Sequence, residues 1–312
     1  MNRQTSAPYR IGDATIIKIP EIPLEGADPA VLFPESDAAG LRQAAEGIGP
    51  GSRDPATGLL HQSIHSWLVR LPGRVILIDT GTGNGKERPT VPLFHHLDGP
   101  FLERLAAAGV RPEEVDLVLL THLHADHVGW NTRLEGGRWV PTFPRARYVF
   151  SGRERAYGDA LAAQDGSDAT LRAEAGLGAM THPPLAGVYE DSVVPVLRAG
   201  LAQEILVDGR EVAEGFSFLP SPGHSIDHAS IRLTSRGSQA LFWGDVMHHP
   251  VQVARPDWNS IYCEFPEAAR RSRRAMMEQA AESGALVLTT HFGESSAGRL
   301  TRVGERFTWH FA

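Results

Sequence analysis

Apolar residues fall into short runs broken by Gly and Pro, and some of those runs are spaced by stretches with a helical period. Ala14 to Ile19 and Ser66 to Leu71 read as strands, and a Pro72-Gly73 turn joins the second to Val75–Asp79, which predicts a hairpin. Phe101 to Ala108 has a helical pattern stopped by Gly109, and a strand at Leu117 to Leu120 follows. Further strands are expected at Arg147–Phe150, Phe216–Leu219, Ala229–Leu233 and Ala240–Trp243. Pro266 opens a helix running to about Ser283, and Gly284 ends it before the strand Leu286–Thr289. This alternation is that of an α/β protein. Residues 23 to 58 hold five Pro and six Gly, which predicts a surface loop with short helical pieces, or alternatively a lid or dimer contact. On the long helix, Arg270, Arg271, Arg273 and Arg274 interleave with Glu267, Glu278 and Glu282, the pattern of a solvated, ion-paired face.

Composition narrows the classes. A chain of 312 residues can bury a sizeable core, and with no repeat or dividing linker one domain over 1–312 is expected. The one cysteine, Cys263, rules out an internal disulfide and a thiolate metal cage, and suits a reducing compartment. Against 30 Lys plus Arg stand 37 acidic residues, a net charge of −7 that argues against a nucleic-acid surface. The first ten residues lack an apolar leader core, and no uninterrupted apolar run approaches about 18 residues, so a soluble, cytoplasmic protein without a membrane partner is expected. The glycines of Thr80-Gly81-Thr82-Gly83-Asn84-Gly85-Lys86 imitate a phosphate loop but lack its spacing, so turn chemistry explains them better.

Histidine is where the chemistry lies. There are 14, and three fall in Thr121-His122-Leu123-His124-Ala125-Asp126-His127, directly after a predicted strand. At this composition a chance H-x-H-x-D-H has odds of roughly one in a thousand. Imidazole and carboxylate form the ligand set of borderline metals, chiefly zinc, with manganese, iron or cobalt as other occupants. Four ligands do not complete two cations, and three more candidates, His224, Asp245 and His291, each follow the carboxyl end of a predicted strand, the edge where α/β sheets place their sites.

In that order, with Asp79-Thr80-Gly81 upstream, these residues resemble the metallo-β-lactamase-fold superfamily of metal-dependent hydrolases over residues 65 to 291. The resemblance implies a four-layer αββα sandwich of two βα halves with two divalent metal ions, most simply zinc. His122, His124 and His224 would hold the first, Asp126, His127 and His291 the second, and Asp245 would bridge them. Asp79 would orient a ligand imidazole. A hydroxide shared by the cations would be the nucleophile, with Asp126 or Asp245 accepting a proton.

The bridging Asp245 argues against the superfamily's β-lactamases, and the acidic charge argues against its nucleases. With 21 residues after His291, flavin-bearing redox members and glyoxalase II fit poorly. His127-Val128-Gly129-Trp130-Asn131 and Gly244-Asp245-Val246-Met247-His248-His249-Pro250 look closest to N-acyl-homoserine lactone lactonases and methyl parathion hydrolase-like enzymes. Hydrolysis of a small lactone or carboxylic ester is therefore expected, with phosphotriester hydrolysis or a non-catalytic metal module as alternatives and a homodimer as a reasonable assembly. Homoserine lactone lactonases carry a Tyr three residues after the bridging Asp; this chain has His248, a candidate donor to substrate. Phe94, His95, His96, Trp130 and Trp258 are candidate pocket walls.

Overall fold

Leu71 and Arg74 pair directly across the Pro72-Gly73 turn, where Gly73 takes φ 73°, so the predicted hairpin forms. It belongs to a computed structural model that describes residues 7–44, 47–49, 51–293 and 295–312. Residues 1–6, on which the reading of the leader partly rests, and residues 45, 46 and 50 of the 23–58 segment lie outside the described residues. The chain divides into two units, Met1–Ile22, Ile64–Leu171 and Pro184–Leu206 in the first, and Pro23–Ser63, Arg172–Pro183 and Val207–Ala312 in the second.

The strands of the first unit are β1 (Tyr9–Ile11), β2 (Ala14–Ala27), β3 (Leu60–Leu71), β4 (Arg74–Ile78), β5 (Leu117–Leu119), a separate hairpin of β6 (Thr132–Glu135) and β7 (Arg138–Pro141), then β8 (Arg147–Ser151) and β9 (Ala202–Ile205). Two of them, β2 and β3, run on into the second unit. The sheet order is β1-β2-β3-β4-β5-β8-β9. From β4 onward the pairs are parallel, which requires crossovers, and Phe101–Ala107 supplies the helix between β4 and β5. Leu68, Leu77, Phe101, Val118, Tyr148 and Phe150 meet in this unit's core.

The second unit carries β10 (Glu211–Ala213), β11 (Phe216–Pro220), β12 (Ala229–Ser235), β13 (Ser238–Gly244), β14 (Leu286–Thr289), β15 (Ala297–Val303) and β16 (Arg306–Phe311), joined in that order. Among the described residues of this sheet only β13 and β14 pair in parallel, and the helix Pro266–Ser283 is their crossover. Its ends fall where the sequence puts them, Pro266 in the first turn and Gly284 capping in the left-handed conformation at φ 60°. The α/β class of the sequence reading holds, with one βα half in each unit.

Within the 23–58 segment, short helices at Pro29–Leu32 and Ala38–Ala44 carry Leu32, Phe33 and Ala44 into a cluster with Leu60, Val251 and Trp258. The Pro and Gly content therefore marks sharp chain reversals over a packed core.

The four arginines of the long helix do not share one face. Arg271 and Arg274 are exposed and Arg270 pairs with Glu267 and Glu35, as an ion-paired face requires, but Arg273 is fully buried. It lies on the same stripe as Ala269, Met276, Met277 and Ala280. Its guanidinium donates to the carbonyls of Val246 (3.0 Å), Pro256 (2.8 Å) and Trp258 (3.0 Å) and to Asn259 Oδ1 (2.9 Å). One side chain thus ties the loop that follows Asp245 to the crossover helix. Replacing it leaves those acceptors buried without donors. Arg273→Met is expected to lower stability by about 3 kcal/mol or more in urea denaturation, whereas Arg271→Met changes it by less than about 0.5 kcal/mol.

Candidate metal centre

The turns leaving the carboxyl ends of β4 and β5 carry Asp79 and Thr121–His127. Asp79 holds a left-handed backbone, φ 56°, a strain of about 1–3 kcal/mol for a residue with a Cβ. Its hydrogen bonds show what keeps it there. Oδ1 accepts from the Thr121 amide at 2.8 Å, and Oδ2 accepts from the Thr121 hydroxyl at 2.9 Å and from His127 Nδ1 at 2.8 Å. With its proton committed to Asp79, Thr121 Oγ1 accepts from His122 Nδ1 at 3.0 Å. Both imidazoles are thereby set as Nδ1–H tautomers that present Nε2 as the ligand atom. The His122 ring lies 4.5 Å from that of His124 and 4.0 Å from that of His127, and Asp126 Oδ1 is 3.9 Å from His127 Nε2. The first unit thus brings His122, His124, Asp126 and His127 together around a clamp set by Asp79.

The loop beneath is held from below. Thr80 donates to the His127 carbonyl (2.7 Å), Trp130 to that of Thr80 (3.0 Å) and Gly129 to that of Gly81 (2.7 Å). Gly83 and Gly129 pack backbone against backbone, so closely that a Cβ on Gly129 would overlap the Thr82 carbonyl. Gly81, Gly83 and Gly85 all have positive φ, the turn chemistry expected of them. Glu21, which no motif singles out, completes the support. Its buried carboxylate accepts from the Thr82 amide (2.6 Å), the Gly83 amide (3.1 Å) and Trp130 Nε1 (2.6 Å). Burial pushes its pKa up to about 7 against the pull of those donors.

In the second unit, His224, Asp245 and His291 follow β11, β13 and β14 and are buried. Asp245 Oδ2 lies 3.1 Å from His224 Nε2, 3.1 Å from His291 Nε2 and 3.2 Å from His248 Nε2. His291 donates Nδ1–H to the Ser63 carbonyl at 3.1 Å, so its Nε2 lone pair faces the carboxylate. In the neutral ring that lone pair opposes an anionic oxygen, so the contact calls for a cation there, a metal ion or a proton. The donor set therefore fits divalent metal binding, to which His224, Asp245 and His291 would contribute ligands.

His248 is stacked at 6° on His291, with centroids 5.3 Å apart, and the exposed Tyr262 ring lies 5.7 Å away. Its Nδ1 has no hydrogen-bond partner among the described residues, and burial pushes its pKa down. His249 supports the fold instead: it reaches the Ser52 carbonyl through Nε2 at 2.8 Å, and burial lowers its pKa to about 4. His228 was missed by the sequence reading, although it lies one helical turn's spacing past His224. Its Nε2 accepts from the Asp245 amide at 3.0 Å and its Nδ1 donates to the Ser221 carbonyl at 3.1 Å, which fixes the turn that presents Asp245. Cys263 lies near His224, Sγ to Nδ1 3.9 Å, and burial pushes its thiol up to about 12, so it is no nucleophile. Among the expected pocket walls, Trp130 stacks on Phe101 in the first unit's core and Trp258 is buried in the Leu32–Phe33 cluster, so both pack the interior.

The sequence profile described as "Metallo-beta-lactamase superfamily" matches residues 61–291, a span that takes in every candidate ligand. The chain belongs to the metallo-β-lactamase superfamily, and its His and Asp clusters suit the divalent metals of that class of hydrolase. Ribonuclease Z of Mycobacterium avium (strain 104) is 40% identical over 78 residues, 25% of this chain and 22% of that protein, so the chain spans about a fifth of the length of that relative. A "Probable metallo-hydrolase" of Mycobacterium bovis is 25% identical over 224 residues, 65% of this chain and 66% of its own length. Among solved structures, "hydrolase AbOPH in beta lactamase superfamily" is similar with a TM-score of 0.77 at 23% identity over 100% of this chain and 99% of its own. AidC, described as a dizinc quorum-quenching lactonase in complex with a product, N-hexanoyl-L-homoserine, gives 0.72 at 20% over 98% and 97%. Such likenesses establish the fold. No helix among the described residues is long and apolar enough to cross a membrane.

Glu21 titrates near neutrality in the folded chain against an ordinary 4.5, so between those pH values the folded state holds a proton that the unfolded state has lost. Stability therefore falls as pH rises from about 4.5 to about 7, by roughly 3.5 kcal/mol at about 1.4 kcal/mol per pH unit. In a Glu21→Gln variant this part of the slope is expected to vanish, as read from urea midpoints across that range.

Proposed function

We propose that this protein is a binuclear metal-dependent hydrolase of lactones or carboxylic esters, with zinc as its metal. The observation that carries the reading is the buried Asp245 carboxylate facing three imidazole Nε2 atoms within 3.2 Å, in a chain of this superfamily. His122, His124 and His224 would hold one ion and Asp126, His127 and His291 the other, with Asp245 available to both. Bound there, two divalent cations supply an acidified water and a polarised carbonyl.

The chain's own residues do the rest. Asp79 and Ser63 hold His127 and His291 in their ligand tautomers. Asp126, whose carboxylate keeps one-fifth of its surface exposed, takes the proton released on attack and returns it to the leaving alkoxide. His248 donates to the substrate's carbonyl oxygen as charge builds there; it is a buried imidazole beside Asp245 in the position where related lactonases carry a phenol. The lactonase AidC among the structural neighbours supports the choice of ester over phosphoryl chemistry. A net charge of −7 speaks against the RNA substrate suggested by the name of the short ribonuclease Z match.

Removal of metal by a chelator is expected to abolish hydrolysis, and zinc to restore it. Asp245→Asn should lose metal in elemental analysis and at least about a hundredfold in kcat/KM. In a panel of N-acyl-homoserine lactones, aryl esters and phosphotriesters, lactone or ester turnover is expected to lead. A phosphotriester turned over faster than every lactone and ester would overturn the substrate assignment. His248→Ala is expected to lower kcat about a hundredfold or more with metal content unchanged.

A further inference from the structure

The loop between Gly85 and Leu97 carries a second cluster of ligand-type side chains that the hydrolytic set does not use. Gly85 donates to the Leu97 carbonyl (2.8 Å), His96 to that of Lys86 (2.8 Å), and Val91 and His95 to those of Arg88 and Val91 (2.9 and 3.1 Å), so its backbone is closed on itself. Its base is anchored in the first unit. Arg88 holds Asp191 through both nitrogens, at 2.7 and 2.8 Å, and buried Lys86 donates to Thr132 Oγ1 at 2.6 Å and lies 3.7 Å over the Trp139 ring.

On this platform the Glu87 carboxylate reaches toward both histidines. Oε1 lies 3.5 Å from His95 Nδ1 and Oε2 lies 3.1 Å from His96 Nε2, with the two rings 4.1 Å apart. One ligand atom from each of the three lies within 4.8 Å of the others. His96 keeps its ring in this group from a left-handed backbone, φ 51°. His95 Nδ1 accepts the Arg88 amide proton at 3.0 Å, which commits its one lone pair in the absence of an ion, and it lies 3.5 Å from Glu87 Oε1.

We propose that Glu87, His95 and His96 form a binding site for one further divalent transition cation of the zinc, nickel and copper class. Two imidazoles and a carboxylate are the ligand types such ions select. The side chains are 67%, 33% and 57% exposed, so water completes the coordination and the ion exchanges readily, unlike one held by the buried clusters. Binding at His95 Nδ1 replaces the Arg88 amide contact, while the other backbone bonds keep the loop closed. The bound ion would join residue 87 to residues 95 and 96, clasping a loop whose other supports are hydrogen bonds. This site is independent of the hydrolase reading.

The test is calorimetric titration of zinc chloride into protein whose tight metal complement has been loaded and counted by elemental analysis. One additional, weaker equivalent is expected for the wild-type chain. His96→Ala and, separately, Glu87→Gln should each weaken it by more than about tenfold while the tight complement and the thermal midpoint stay unchanged. Absence of the extra equivalent in the wild type, or its persistence in both variants, would overturn the proposal. Either result leaves the tight count, and with it the hydrolytic assignment, to be judged separately.

Discussion

A single carboxylate, that of Asp245, sets the conditions the second unit has to meet. Three imidazole nitrogens aim at it from the ends of different strands in a region closed to water. Burying an anion there is costly unless cations or donors surround it. Much of the unit serves that requirement: the β11, β13 and β14 ends aim the side chains, His228 holds the turn through the Asp245 amide, and Arg273 fastens the chain that follows. The first unit solves the same problem with Asp79, whose strained backbone is held by three donors. In both halves the candidate ligands are positioned by groups that would not themselves touch a metal, which is the usual way a site acquires defined geometry.

What could be read from the sequence was what is local. His122 to His127 announce themselves because four residues of ligand type sit in six consecutive positions. The crossover helix was legible to the residue because Pro266 and Gly284 act on their own turns. Glu21 was invisible for the opposite reason: its partners lie 61, 62 and 109 positions away, and nothing around it looks unusual. Arg273 was misread because charge pattern alone cannot say which arginine of a basic stretch faces carbonyls contributed by a loop 14 to 27 residues upstream. Asp79 was named, but its left-handed backbone follows from long-range hydrogen bonds and could not be foreseen.

The Pro- and Gly-rich segment teaches the same lesson about packing. Leu32, Phe33 and Ala44 look sparse among turn residues, and their partners Val251 and Trp258 stand more than two hundred positions later. Apolar spacing identifies a face only where one regular element carries it. A core assembled from separate loops has no period to detect.

The burial of Cys263 has a practical consequence. A thiol sealed from solvent and held protonated far above neutral pH has almost no thiolate for alkylating or oxidising reagents to find. Since it is the chain's one cysteine, the native surface is effectively silent to maleimide chemistry. A cysteine placed at any exposed position would then be the single addressable point, so a fluorophore or spin label can be stationed beside either histidine cluster without first removing the native thiol.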